Sequence, residues 1–223
     1  MRRFVYLVLC GACGGDGTPR EPLVDAPLDA SIDSPPPDVM PHTPATIFES
    51  ATMRPGPFEP LPAQSTSGEQ LLGVRFTTTK PYTVTGIGAH AYTICFSCTG
   101  ESQTVQFMAI VPIDPATNLP TTTDVMRDAV GFGVAAIPYV TSTETQDAAP
   151  PSTVFPTDFV LPAGTWGLVI GGGYYDTARE DILLTTDVVP VGDPQYFRYT
   201  FEDQQWWPGQ VTGPDKRFFV IGY

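Results

Sequence analysis

The sequence is poor in the side chains that most often bind nucleic acid or carry catalysis. Among 223 residues, lysine occurs only at Lys80 and Lys216, histidine only at His42 and His90, and asparagine only at Asn118. The net charge is −13, with 11 basic and 24 acidic residues. Because a nucleic-acid surface needs a cluster of cations, this balance argues against that class of partner. It also argues against docking on anionic lipid through charge.

Catalytic signatures are missing as well. No H-E-x-x-H pair of a zinc protease and no G-x-S-x-G nucleophile turn occurs, and the three glycines at 171–173 lack the lysine of a phosphate loop. Two acidic doublets exist, Glu180-Asp181 and Glu202-Asp203. Adjacent residues of a strand point to opposite faces, so neither doublet forms a glycosidase pair by itself. We therefore expect a protein that is not an enzyme and that needs no cofactor or metal.

The N-terminus carries a short apolar run, Phe4–Leu9, which is far too short to span a bilayer as a helix. Two arginines come before it, and Gly11 and Ala12 come directly before Cys13. A basic start, an apolar core and small residues at the end are the three parts of a secretory signal.

This stretch resembles the signal of bacterial lipoproteins, in which small residues precede a cysteine that receives lipid and becomes the new N-terminus. Cys10 stands where such signals usually carry leucine, and Gly14 lacks the aspartate that can retain these proteins at the inner membrane. The resemblance implies a signal peptide at 1–12, lipidation at Cys13, a membrane partner, and a location at the outer membrane or cell surface. A plain cleaved signal, with secretion, is the alternative.

Residues 13–44 predict a disordered tether after the lipidated cysteine. The segment 14–44 contains eight prolines, six acids and no aromatic residue. Proline prevents regular helix and sheet, like charges extend the chain, and too little apolar surface is present to fold. The series Asp25, Asp29, Asp33 and Asp38 suggests calcium binding, but it lacks the glycine turn and tight ligand spacing of a calcium loop. A spacer is the preferred interpretation.

Residues 45–223 predict one all-β domain. Short runs rich in β-branched and aromatic residues alternate with turn clusters, and no run sustains a helical period except a possible short helix at 121–130. In the stretch after Gly164 we expect Trp166, Leu168 and Ile170 to point into the core. The last run, Arg217 to Tyr223, predicts a central strand. The expected fold is a β-sandwich of about eight to ten strands, jelly-roll-like, similar to those of bacterial surface proteins.

Two cysteines remain in the domain, Cys95 and Cys98. An even pair in an exported protein favours a disulfide, and a turn can bring positions three apart within reach of each other. A redox motif would need a helix after the first cysteine, and zinc would need two further ligands, where only His90 is near. Redox, metal and free-thiol alternatives stay open. His90 itself is expected to be a partly buried core residue.

The aromatic group at Trp206 and Trp207 is the most suggestive feature for function. Amides at Gln204 and Gln205 flank it, and flat rings beside polar groups suit sugar binding. We predict that Tyr196 joins these rings, and Tyr199, Tyr174 and Tyr175 are further candidates to lie near them. One tryptophan of the pair should face the core and the other solvent.

The expected function is therefore non-catalytic binding or structure at the cell surface, with a glycan as the first candidate ligand. An adhesive protein that binds another protein is the second hypothesis. A glycan-active enzyme using Glu180, Glu202 or Asp203 is the third.

Overall fold

A computed structural model describes residues 42–53, 63–66, 70–94, 103–140, 152–177, 182–185, 188–209 and 215–223. All of them belong to one compact unit, Pro41–Tyr223. The elements are β1 (Ala45–Glu49), β2 (Ala51–Met53), β3 (Ala63–Thr66), β4 (Gln70–Thr78), β5 (Tyr82–Ile94), β6 (Gln103–Pro112), α1 (Val125–Asp128), β7 (Gly131–Val140), β8 (Ser152–Leu161), β9 (Gly164–Gly171), β10 (Ile182–Thr185), β11 (Val188–Pro190), β12 (Gln195–Thr200), β13 (Gln205–Pro208) and β14 (Phe218–Gly222).

The all-β sandwich is confirmed, and its strand pairing is that of a jelly roll. Four antiparallel pairs are nested along the chain: β1 with β14, β4 with β9, β5 with β8, and β6 with β7. Further pairing gives a first sheet ordered β1-β14-β5-β8 and a second ordered β7-β6-β9-β4. This is the strand order of eight strands folded as two Greek keys. A two-residue parallel contact between the ends of β5 and β7 joins the sheets.

The number of strands differs from the eight to ten predicted. Fourteen occur in the described ranges, because five of them have only three or four residues and pair at the margins. Two of these short strands are close together in the chain but have different partners: β10 pairs with β3 and β5, and β11 pairs with β2. The hairpin of β12 and β13 continues the second sheet beyond β4.

The main core lies between the two sheets, where alternate side chains from both meet. As predicted, Leu168 and Ile170 are buried there, while Trp166 is partly buried and its indole N–H donates to the Pro162 carbonyl oxygen at 3.2 Å. The last strand is central, as predicted, since β14 pairs with both β1 and β5. The buried members of this core include Val74, Phe76, Ile87, Met108, Ile110, Phe155, Phe218 and Val220.

A second apolar cluster covers the opposite, outer face of the second sheet. It includes Phe107 and Val111 of β6, Val169 of β9 and Phe197 of β12. The connection 113–130, which we call the strap, contributes Val125 to this cluster. The central strands of the second sheet are therefore buried on both faces, unlike a simple two-layer sandwich with one wet face per sheet.

Within the strap, the expected helix is much shorter than 121–130. It covers Val125–Asp128 only, and the Asp124 carboxylate caps it by accepting the Arg127 N–H at 3.0 Å. Before the helix, the strap is held partly by its own turn, in which the Asp114 N–H donates to the Leu119 carbonyl oxygen at 2.9 Å. It is also held by the sheet, since the Thr121 N–H donates to the Pro112 carbonyl oxygen of β6 at 3.1 Å. No helix in the described part of the chain is long and apolar enough to cross a membrane.

Candidate functional site

The hairpin of β12 and β13 carries the predicted aromatic pair. Its strands are antiparallel, with Tyr199 opposite Trp206 and Arg198 opposite Trp207. The turn between them, 201–204, is closed by Gln204, whose N–H donates to the Thr200 carbonyl oxygen at 2.9 Å. Opposed residues of a β-ladder share a face, so the hairpin presents Tyr199 and Trp206 on one side and Arg198 and Trp207 on the other.

Trp206 faces the second cluster and is 8% exposed. Its ring packs on Phe197 and Tyr199, with centroids 5.3 and 5.1 Å away, and its indole N–H donates to the carbonyl oxygen of Thr122 in the strap. The ring of Phe197 occupies space that a side chain at Gly73 would fill, since a Cβ there would lie 2.4 Å from the ring. Trp206 is thus a packing residue in this structure.

Trp207 lies on the other face and is 38% exposed. Its partner Arg198 pairs in turn with Leu72 of β4, which is buried in the core between the sheets. The core-facing side of the second sheet therefore continues onto the hairpin, where it becomes accessible at Trp207. As predicted, the two adjacent tryptophans face opposite ways.

A cavity of about 320 Å³ opens at this accessible face, lined by Arg198, Asp203, Trp207 and Pro208. The Asp203 carboxylate accepts a hydrogen bond from the Thr200 hydroxyl at 3.0 Å, which orients it at the turn. The Arg198 Nε atom is shielded from solvent and has no hydrogen-bond partner. The cavity thus combines an indole, a guanidinium and a carboxylate.

Tyr196 lies on the same face as Arg198, two residues earlier in β12, but its polar tip is engaged. The hydroxyl donates to the Lys216 carbonyl oxygen at 2.8 Å and accepts from the Lys216 N–H at 2.9 Å. The Lys216 ammonium lies 5.5 Å from the centre of the same ring. Burial lowers the pKa of Lys216 to about 8 and raises the pKa of Tyr196. Tyr196 therefore supports the hairpin from behind and does not line the cavity.

Tyr174 and Tyr175 belong to the outer face, together with Trp206. Their hydroxyls donate to strap carbonyl oxygens, Tyr174 to Thr123 at 3.3 Å and Tyr175 to Val125 at 3.1 Å. Tyr175 adopts a positive φ of 54°, a conformation that is costly for a bulky residue. Three aromatic donors, including Trp206, thus hold three backbone carbonyls of the strap.

These rings form a continuous aromatic row across the outer face of the second sheet. Neighbouring centroids are 4.0 to 5.8 Å apart. In order, the row is Phe132, Tyr175, Phe107, Tyr174, Phe201, Tyr199, Trp206 and Phe197. The sequence analysis named Tyr174 and Tyr175 as candidates to lie near Trp206, but it did not predict that Phe107 and Phe132 join them, because the row is built from four distant parts of the chain.

The remaining predicted site residues divide into described and undescribed ones. Cys13, Cys95, Cys98 and Glu180 lie outside the described residues, so lipidation and the disulfide stay predictions. Glu202 is exposed in the hairpin turn, and Asp203 is the acid that lines the cavity. In the ranges that the structure covers, no group of three histidine, cysteine, aspartate or glutamate side chains is arranged to hold a metal ion.

His90 is buried, as predicted, but it lies in a polar cluster on the outer side of the first sheet. Arg217 contacts the His90 Nε2 atom and forms an ion pair with Glu49 at 2.9 Å. The Arg217 guanidinium also lies 4.9 Å from the ring centre of Phe219. Because arginine only donates hydrogen bonds, the Nε2 atom of His90 acts as the acceptor. This cluster joins the last residue of β1, the interior of β5 and the residue that precedes β14.

The chain matches no protein-family model, and no curated protein is significantly similar to it. Fold and site therefore define the protein only as a jelly-roll domain with an open aromatic hairpin at the margin of its second sheet. Its function has to be argued from that hairpin.

Proposed function

We propose that this protein is an exported, lipid-anchored surface protein whose jelly-roll domain binds a glycan at the β12–β13 hairpin, without catalysis. The observation that carries the proposal is Trp207, which is 38% exposed and lines a cavity with two charged side chains. Isolated exposed apolar residues are common on protein surfaces. An exposed indole that shares a concave site with a cation and a carboxylate is less readily explained by packing.

The chemistry of the cavity suits a sugar. The flat indole face accepts the apolar C–H face of a sugar ring, while the Asp203 carboxylate and Arg198 guanidinium bond its hydroxyl groups. A volume of about 320 Å³ is at the lower end of the usual range for small-ligand pockets, roughly 300–1,000 Å³, which fits one or two sugar units of a longer chain.

The hairpin is also rigidly supported, which favours binding. Trp206 anchors one face under the strap, and Tyr196 fixes the other through its hydrogen bonds to Lys216. A binding group that is ordered before the ligand arrives loses less conformational entropy on binding. The exposed indole is therefore held in place by residues that do not themselves contact the ligand.

The test is calorimetric titration of the purified protein with a panel of soluble polysaccharides. We expect saturable binding to at least one of them, and at least tenfold weaker binding for Trp207→Ala. Trp207→Phe should retain part of the affinity because it keeps a flat ring. Phe132→Ala is the matched control, since Phe132 is also an exposed aromatic residue, 47% exposed, but lies on the outer face. Absence of binding across the panel, or an equal loss in the control, would refute the proposal.

The anchor is tested separately. Cys13→Ser should abolish fatty-acid labelling and release the protein from the membrane fraction, whereas Cys10→Ser should keep both. Triacylation of one cysteine supplies enough buried methylenes to hold the protein without a spanning segment, at about 0.8 kcal/mol each. Labelling that persisted in Cys13→Ser would contradict the assignment of the lipid site.

A second candidate function is binding of another protein, as expected for an adhesive or structural protein. It is favoured by exposed apolar side chains on the outer face of the second sheet, where Val105, Phe132 and Val134 are each more than one third exposed. Strand register brings them to one face of β6 and β7. Cross-linking on intact cells should give partners that are lost in Phe132→Ser but retained in Trp207→Ala.

Glycan hydrolysis is the weakest alternative. It would require a second carboxyl group across the bound sugar from Asp203. Hydrolysis is tested by assaying the same polysaccharide panel for new reducing ends. Activity that is present in the wild type and lost in Asp203→Asn would mean that the function is catalysis and not binding alone.

A further inference from the structure

We infer that the glycan bound at the β12–β13 hairpin is acidic, with a uronic-acid carboxylate held by Arg198 while the sugar ring rests on Trp207. This inference rests on the proposed glycan-binding function and adds the chemical class of the ligand. It comes from the state of Arg198, which differs from that of every other described arginine.

The other arginines in the described ranges have polar partners. Arg127 pairs with Asp128 at 2.7 Å, Arg217 pairs with Glu49 at 2.9 Å, and Arg75 donates to the Asn118 side chain. Arg198 forms no ion pair or hydrogen bond through its side chain with any described residue, and its Nε atom is shielded from solvent. The Nε atom of Arg217 is shielded without a partner too, but its terminal nitrogens contact His90 and Glu49. Yet it lines a cavity that also contains an acid, Asp203.

The shielded Nε–H group of Arg198 is costly to the free protein. A donor that loses water without gaining a partner destabilises the fold, and more so when the group is charged. A carboxylate ligand would remove that cost, because the two parallel N–H groups of a guanidinium match the two oxygens of a carboxylate. A neutral sugar hydroxyl would satisfy only part of this donor set.

The negative charge of the rest of the domain bears on the role of Arg198. Residues 45–223 carry 18 acids and 8 bases, so the domain as a whole repels anions. A single uncompensated arginine in a concave site therefore does not serve general attraction of anions. Asp203, which already accepts from Thr200, is suited to receive hydroxyl donors of the ligand and would repel a second carboxylate. The site is therefore suited to bind a single carboxylate of the ligand, at Arg198.

The geometry allows a single sugar unit to meet both groups. Arg198 and Trp207 are directly opposed in the β-ladder, which places their Cβ atoms roughly 4.5–5.5 Å apart on one face. A uronic acid carries its carboxylate at the edge of the sugar ring. With the ring lying on the indole, the carboxylate projects sideways toward the neighbouring cross-strand residue, which is Arg198.

The experiment compares four probes on the full-length protein: polygalacturonate, the same polymer methyl-esterified, a neutral galactan, and polyglutamate. We expect polygalacturonate to bind at least tenfold more tightly than its methyl ester at 0.15 M salt. Arg198→Gln should reduce this preference to less than twofold, because it weakens binding of polygalacturonate much more than binding of the ester. Arg198→Lys keeps the positive charge but loses the two parallel N–H groups of the guanidinium, so it should retain an intermediate preference for polygalacturonate over its ester. Thermal unfolding of each variant verifies that it folds.

Arg75→Gln is the matched control, since it removes the same charge from β4, the strand next to β12. It should retain the full preference, and an equal loss in this variant would refute the inference by showing a general effect of charge. If the acidic and the esterified polymer bound with equal affinity, and both lost affinity in Trp207→Ala, the inference of an acidic ligand would be overturned. The proposed glycan binding would then still hold. Polyglutamate that bound as tightly as polygalacturonate would overturn both, because it offers carboxylates without a sugar ring.

Discussion

The two faces of the β12–β13 hairpin have opposite environments although both belong to the same short segment, residues 195–208. One face carries Tyr199 and Trp206, buried under the strap and linked to it by a hydrogen bond. The other carries Arg198 and Trp207, which line an open cavity. Adjacent residues can thus have different roles. Trp206 stabilises the hairpin on the buried face, and this leaves Trp207 accessible on the face where we propose that the glycan binds.

The largest expected effect is on stability at Trp206. Replacing it with alanine leaves a cavity in the second cluster and frees a strap carbonyl, so Trp206→Ala should cost about 3–5 kcal/mol in the free energy of unfolding. Trp207→Ala should cost about 1 kcal/mol or less, as for surface positions. Urea denaturation measures both. Similar losses in the two variants would abolish the distinction between the faces.

The next effect is a pH dependence that originates behind the open face, at Lys216. It is 1% exposed, and burial lowers its pKa from the ordinary 10.5 to about 8. Between these values the unfolded chain binds the proton and the folded protein does not, so stability rises with pH, by up to about 1.4 kcal/mol per pH unit. Below pH 8 the full cost of burying the charged form is present.

Denaturant midpoints measured from pH 7 to 9.5 test the predicted pH dependence of stability. The range stops below the ordinary pKa of tyrosine, about 10, so that Lys216 is the main group followed. Stability should increase by up to about 2 kcal/mol above pH 8. Lys216→Met, which keeps the length of the side chain, should flatten the curve. A wild-type curve that is flat, or a slope that remains in Lys216→Met, would contradict the assignment.

A smaller effect is expected on the buried face at Tyr175. Its hydroxyl donates to the Val125 carbonyl oxygen in the strap, and Tyr175→Phe removes only that bond, at a cost of about 1 kcal/mol. Hydrogen exchange should be faster in the strap amides and unchanged in β14. Phe132→Leu is a suitable control, because it alters the stacked neighbour of Tyr175 without touching the hydrogen bond. Uniformly faster exchange would indicate global destabilisation instead.

The smallest effect is expected at Arg198. Because its Nε atom is buried without a partner, Arg198→Gln should change the free energy of unfolding by less than about 0.5 kcal/mol, or raise it slightly. A residue retained for binding, not for stability, is expected to behave in this way. A loss above about 2 kcal/mol would mean that Arg198 has a structural role and would weaken the comparison of the two faces.

Much of the sandwich was predictable from local patterns. Alternation after Gly164 placed Leu168 and Ile170 in the core, and the apolar last run placed β14 in the middle of its sheet. The same alternation required Trp206 and Trp207 to face opposite ways. It could not say which of the two would be buried, because that depends on the strap, which lies about 80 residues earlier in the chain.

Other expectations failed where local pattern was a weak guide. The strap contains one turn of helix in place of a ten-residue helix, and the carbonyl oxygens of Thr122 and Thr123 accept hydrogen bonds from Trp206 and Tyr174 of distant segments. Local pattern also does not reveal that β10 and β11, which are close together in the chain, pair with different strands. The sequence could not predict that the Arg198 side chain lacks a hydrogen-bond partner among the described residues, because this depends on which distant residues surround it.

By itself the sequence determined that the domain is all-β, which side chains alternate along each strand, and that its surface is acidic. These are local or additive properties, set by a two-residue period and by composition. The nested pairing of a jelly roll, the second cluster beneath the strap, and the meeting of Arg198, Asp203 and Trp207 were decided only by the tertiary structure. Each depends on which distant segments pair, and that choice minimises the free energy of the whole chain and not of any one stretch.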